Sequence, residues 1–326
     1  MSYAFLSPIH RLLWAFPMRI CTLFLLVLIC LPLHATSRCF AAPDEEEYRE
    51  LPADLIARFA QLGGEYGHFV QDKHHLGVFA SVRLKPAAKG LPGFCFKEMD
   101  DELASKLPAT NRPLSPELAC AKITARGFSQ LSKFERLQVL DLCRVKVTDE
   151  DAREIANLRS LRVLWLHSAP IGDRGAKELA KLEQLQELWL WCCGNITDDG
   201  IRELTKLRCL LRLNLYATAV TDQGMEELTK LSALTDLDLG ETRLTDAGMK
   251  QVAKIKQLRS LNISATKVGD VGLEALSNLN ELEWLYLAGT KITNAGTTSI
   301  RKLRQLRDLS VAGTDIDDEG LRTLTQ

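Results

Sequence analysis

Cys143 and His167 stand 24 residues apart, with Asp141 two residues before the cysteine and Cys192 25 residues after the histidine. Brought together, a thiol, an imidazole and a carboxylate would make a nucleophilic dyad with an orienting acid; with the second thiol they would make a zinc site. His68, Asp72 and His74-His75 form a second set of ligand-type side chains, for which a solvated hairpin turn is the competing reading. A third set is the tetrad Thr-Asp-x-Gly, which recurs along the chain and tempts a calcium reading. It lacks the further carboxylates and closing Glu that a calcium loop needs, so helix capping is its expected role. The sequence holds no phosphate loop, dinucleotide fingerprint or serine elbow.

What these residues can do depends on what places them. Written from Leu137, the chain falls into rows of 24 residues beginning at Leu137, Leu161, Leu185, Leu210, Leu234, Leu258, Leu282 and Leu306, with 25 residues only in the third. A typical row reads L-x-x-L-x-L/I/V, a turn, V/I/L-T-D-x-G, then an apolar residue and L-x-x-L. The Leu-x-Leu alternation is a short strand with one buried face. Asp at row position 13 (Asp149, Asp173, Asp198, Asp222, Asp246, Asp270 and Asp318, with Asn294 in the seventh row) opens a helical segment, and Gly follows at position 15 from the second row on. Stacked rows of strand, turn and helix make an α/β solenoid: a curved parallel sheet on the concave face and helical segments on the convex face.

That frame puts positions 3, 5 and 7 of each row on the concave face and positions 4 and 6 in the core. Every Trp and Tyr from residue 137 onward then falls on the concave face, and no Phe occurs there at all. Trp165, His167, Trp189, Trp191 and Tyr216 occupy neighbouring rows and are expected to form one patch, since adjacent strands lie about 4.8 Å apart. Asp141, Glu187, Asp236, Asp238 and Glu241 flank it, and Trp284 and Tyr286 lie further along the same face. Clustered exposed aromatics mark recognition surfaces. The competing reading is that these rings only shield the sheet by stacking on each other. For Cys143 and His167, a flat concave sheet offers no evident oxyanion hole or water-excluding pocket, which favours a packing role over catalysis.

The repeat resembles the leucine-rich-repeat family over roughly residues 113–326, most closely the bacterial 24-residue T-x-I-T-D-x-G-L type. The third row, Leu185-Gln-Glu-Leu-Trp-Leu-Trp-Cys-Cys-Gly-Asn-Ile-Thr-Asp-Asp-Gly, is similar to the cysteine-containing repeats of F-box adaptor proteins. The resemblance implies a leucine-rich-repeat solenoid, with a hydrogen-bonding ladder at position 9 made by Thr218, Thr242, Thr266, Thr290 and Thr314 and by Cys193 in the third row. It also implies a non-enzymatic module without cofactor or metal, whose partner is a protein or a glycan. A cytoplasmic substrate-recruiting adaptor and a Cys/His metal protein are the alternatives.

The remaining features bound the whole chain. It has 326 residues, 46% of them hydrophobic, which excludes a disordered chain, and its net charge of -1 gives no electrostatic reason for a nucleic-acid or anionic-membrane partner. Residues 20–33 are apolar, follow Arg11 and Arg19, and precede the small residues Ala35, Ala41 and Ala42. As a helix they would span about 21 Å, short of the roughly 30 Å bilayer core, so a cleaved signal peptide is expected and an uncleaved anchor is the alternative. The expected organisation is a signal over residues 1–42, an amino-terminal cap over 43–112 and the solenoid over 113–326, in a secreted or periplasmic protein. In the cap, residues 52–62 read as a helix, 79–84 as a strand, and 99–103 and 123–127 as worn copies of the repeat. Cys95–Cys120 is the one disulfide considered. The last residues, 321–326, fall inside a repeat, so pairing of two copies through that apolar edge is expected.

Overall fold

The computed structural model describes residues 49–71, 77–81, 90–118 and 121–325, all within one compact unit, Arg38–Gln326. The apolar segment 20–33, Asp72, His74, His75, Cys120 and residues 82–84 of the expected strand lie outside the described residues.

Eight parallel strands carry the rows: β4 (Val139–Cys143), β5 (Val163–His167), β6 (Glu187–Trp191), β7 (Arg212–Asn214), β8 (Asp236–Asp238), β9 (Ser260–Asn262), β10 (Trp284–Tyr286) and β11 (Asp308–Ser310), hydrogen-bonded in chain order. Leu140, Leu164, Leu188, Leu213, Leu237, Leu261, Leu285 and Leu309 stand in register across all eight. The first seven are at most 2% exposed, so position 4 is the spine of the core and the register cannot slip without exposing it. Each strand is followed by a residue of positive φ at position 8, from Arg144 to Gly313, which turns the chain out of the sheet.

The helices that follow are α4 (Asp149–Ile155), α5 (Asp173–Leu179), α6 (Asp198–Leu204), α7 (Asp222–Leu228), α8 (Asp246–Val252), α9 (Asp270–Ala275), α10 (Thr297–Ile300) and α11 (Asp318–Thr325). Their starts correct the capping role expected for Asp at position 13. The cap is the threonine before it: the hydroxyls of Thr197, Thr221 and Thr245 accept a backbone N–H from the first turn of their own helices, and Thr293 does so from the 3-10 turn Asn294–Gly296 that leads into α10. The aspartate reaches one row forward. Asp173 accepts from the Thr197 N–H (2.8 Å) and hydroxyl (2.7 Å), and Asp198, Asp222 and Asp270 do the same to Thr221, Thr245 and Thr293. Gly at position 15 makes the room: a Cβ on Gly200, Gly224, Gly248, Gly272 or Gly296 would stand 2.4–2.5 Å from the preceding row's carboxylate oxygen. Thr, Asp and the next Gly therefore form one lock between rows.

The position-9 threonines also differ from expectation. Thr218, Thr242, Thr266, Thr290 and Thr314 each donate to the carbonyl three residues back in their own row, so they brace the turn instead of linking rows. Cys193 fills that slot in the third row, fully buried.

Ahead of β4 lie α1 (Ala53–Gln61), β1 (Glu65–Gln71), β2 (Gly77–Ser81), β3 (Leu91–Cys95), α2 (Asp101–Lys106) and α3 (Ala125–Gln130). β1 pairs antiparallel with both β2 and β3. Parallel bridges from Cys95 to Glu117 and from Glu117 to Asp141 join β3 to β4, so the sheet is continuous. Phe59 of α1 stacks on Phe94 at 4.2 Å beside Phe96 and Phe134, closing the core where the leucine rows begin. Cys95 is a free thiol, contrary to the disulfide considered for it, and Cys209 is disulfide-bonded.

Candidate functional site

The concave face begins with a covered region. Phe69 of β1 and Leu91 of β3 form a small buried cluster with Val139, Val163 and Trp165. β1 and β5 are four strand spacings apart through the sheet, about 19 Å if it were flat. Yet the Phe69 and Trp165 ring centroids are 5.2 Å apart. The end of β1 is therefore curled back over the concave side. Trp165 is only 5% exposed, which corrects the exposed role expected for it. Its indole N–H donates to Glu187 (2.8 Å), a fully buried carboxylate that also takes the Arg212 guanidinium at 2.6 Å. Glu187 is thus a structural link under the rings and not part of a solvent-facing acidic flank.

The open part of the patch starts at Trp189, half-buried against Trp165 at 5.1 Å. His167 stacks flat on Trp191, with centroids 4.4 Å apart and planes 6° apart, and Tyr216 meets Trp191 edge-on at 5.8 Å. Trp191 is 37% exposed, the most open aromatic ring of the described rows. Tyr216 lies against Gly240 of the next row, where a Cβ would stand 2.7 Å from the ring, and its hydroxyl donates to the Glu241 carboxylate. Burial holds the His167 imidazole below its usual pKa, aided by nearby Arg144, so it is neutral at pH 7.

Beyond the rings the face turns polar. Asn214, Asp238 and Asn262 stand side by side at position 5, and each accepts the backbone N–H two residues on. Asp238 also takes the Asn214 amide (3.1 Å) and the Asn262 amide. Burial pushes its carboxyl up to about 6, and the hydrogen bonds from Gly240, Asn262 and Asn214 only partly oppose this. Asp236 takes the Thr235 hydroxyl at 2.6 Å. Trp284 and Tyr286 sit two rows further on, half-buried and separate from the first patch. The sequence reading missed the Glu187–Arg212 link and the Asn214–Asp238–Asn262 row, although shared row positions in adjacent repeats were a signal for both.

The chemical sets fare differently. Cys143 and His167 are register partners on adjacent strands. Burial, then the Asp141 charge, pushes the Cys143 thiol far up and keeps it protonated, which is the wrong state for a nucleophile or metal ligand. Among the described residues no three His, Cys, Asp or Glu side chains gather closely enough to hold a metal ion. His68 is buried in β1, with Nε2 3.2 Å from Glu50.

The leucine-rich repeat region family matches residues 118–315, more than half of the 326-residue chain, and the chain belongs to that family. Among solved structures it is similar to internalin C2 of Listeria monocytogenes, at 20% identity over 65% of this chain and 84% of that one with a TM-score of 0.48. Internalin F of the same organism matches at 18% identity over 84% of this chain and 93% of that one, with a TM-score of 0.40. No curated protein sequence matches the chain.

Proposed function

We propose that this leucine-rich-repeat chain is a non-enzymatic binding module whose concave face, from Trp189 to Tyr216, receives a partner protein. One observation carries the reading: Trp191 is held by His167 and Tyr216 on a rigid sheet, yet left open to solvent where the neighbouring Trp165 is covered. A pre-positioned indole adds large contact area at little entropic cost, as binding hot spots do. Trp284 and Tyr286 would extend the same contact along the face. Residues 20–33 support export to the cell exterior or periplasm; among the described residues, no helix is long and apolar enough to cross a membrane.

Affinity capture with the full chain from native extract and secretome tests this, run beside Trp191→Ala/Tyr216→Ala after thermal melts show both folded. A partner held by the first bait and lost by the second is expected. Identical captures by both baits would refute the aromatic face as the site. Mass spectrometry of the amino terminus of the native protein tests export, with a start near Pro43 expected.

A further inference from the structure

At positions 3, 5 and 7 of the eight rows the charged side chains are Asp141, Glu187, Arg212, Asp236, Asp238 and Asp308. Glu187 and Arg212 neutralise each other beside Trp165. What remains at those positions is entirely acidic, in a chain whose overall charge is only -1, and the one cation the face brings near its rings, Arg144 at position 8, lies at the far end beside His167. The partners of these acids are neutral: a hydroxyl for Asp236, two amides and a backbone N–H for Asp238, and, beside them at position 8, the Tyr216 hydroxyl for Glu241. Among the described residues, no lysine, arginine or histidine is paired with any of these three. Asp238 in particular carries a half-buried charge with no cation against it, a costly state in which its carboxyl is driven upward.

Resting on the concave-face reading, we propose that the partner presents an extended protein segment bearing arginine or lysine, and that Asp236, Asp238 and Glu241 receive its cations beside the Trp191–Tyr216 wall. Arginine fits both components, pairing with carboxylates through its planar fork and stacking on aromatic rings. The face also sets a spacing. Asp238 in the fifth row and Asp308 in the eighth lie on the open part of the face, three strands or about 14 Å apart. An extended chain crossing the strands would bring cations to these acids roughly four residues apart.

The test uses three dodecapeptides, alternating glycine with arginine, serine or glutamate, titrated into the full chain at physiological ionic strength with tryptophan fluorescence as readout. Two charge-matched variants accompany the wild type: concave Asp236→Asn/Asp238→Asn/Glu241→Gln, and convex Glu150→Gln/Glu226→Gln/Glu274→Gln. Saturable binding of the arginine peptide alone is expected, weakened about tenfold or more by the concave variant and less than about twofold by the convex one. No arginine binding by the wild type, equal binding of the serine peptide, or equal loss in both variants would overturn the proposal. Native capture separates it from the reading it rests on. A partner lost by Trp191→Ala/Tyr216→Ala but kept by the concave acid variant refutes the cationic segment alone. A partner kept by both variants refutes the concave-face reading itself.

Discussion

The convex edge and the concave face are built from the same rows, and they differ in how strictly they repeat. On the convex edge each row's Asp at position 13 sits against the next row's Gly at position 15, and the exceptions obey the same steric rule. Asp101 precedes Gly127 by one row, and a Cβ there would stand 2.4 Å from its carboxylate. The next row has Ala125 in place of the aspartate, and the row after it has Asp151 in place of the glycine. Without a carboxylate from Ala125, the Thr148 N–H and hydroxyl both turn to Asp151 of their own helix at 2.8 Å. Near the other end the cap is Asp317 and the preceding lock residue is Asn294, whose amide donates to Asp317 at 2.8 Å where a second carboxylate would repel it. The concave face repeats less strictly: an Asn or Asp at position 5 accepts the backbone N–H two residues on in four rows, while aliphatics, rings, amides and acids otherwise follow one another. Residues that repeat hold the solenoid together, and residues that break the repeat without a compensating neighbour are free to serve a partner.

The largest effect should come from filling a lock. Gly248→Ala places a Cβ 2.4 Å from Asp222 Oδ1 and 2.6 Å from a Leu244 methyl, and urea unfolding should show a loss of about 2–3 kcal/mol. Asp222→Ala leaves the Thr245 N–H and hydroxyl without their acceptor and should cost a similar amount. The double variant should cost clearly less than the sum, because the clash and the lost acceptor belong to one contact. Full additivity would contradict the lock.

A smaller loss is expected from Asn294→Asp, which sets two carboxylates together. Adding Asp317→Thr recreates the Asp–Thr pairing of the other rows and should restore the melting temperature. Failure of that rescue would mean the two positions are independent.

On the concave face the effects on stability shrink and become pH-dependent. The Asp238 carboxyl titrates near 6 in the folded chain against 3.8 for the free side chain. The unfolded state loses this proton first, so the stabilisation is complete below about pH 4 and is lost as pH rises through about 6. Asp238→Asn should therefore raise the melting temperature at pH 7–8 and flatten its dependence between pH 4 and 6. An unchanged slope would show that this carboxyl is not responsible. Trp191→Ala, which gives up the contacts with His167 and Tyr216 but opens no closed cavity, should lower the unfolding free energy by about 1–1.5 kcal/mol, less than either lock variant.

How much could be read from sequence follows the same division. The row length fixes which residues share a strand register, so Leu140 through Leu309, the helix starts and the concave placement of Trp189, Trp191 and Tyr216 were all visible as spacing. Contacts between rows were not. Asp173 caps nothing in its own helix, and its partner Thr197 is 24 residues on, a distance at which pattern alone names no hydrogen bond. Trp165 occupies a concave position like Trp189, and only the curl of β1, carrying Phe69, distinguishes the covered ring from the open one. Glu187 likewise reads as a surface acid until its burial against the Trp165 indole and the Arg212 guanidinium is known.

The most direct measurement sets the two faces against each other in one experiment: melting temperature and native partner capture for Trp191→Ala and Gly248→Ala alongside the wild type. The two-face account predicts that Trp191→Ala melts close to wild type and loses the partner, whereas Gly248→Ala melts markedly lower and keeps it below its own transition. A Trp191→Ala chain that melts as low as Gly248→Ala while retaining the partner would contradict it, and would make the aromatic wall part of the scaffold.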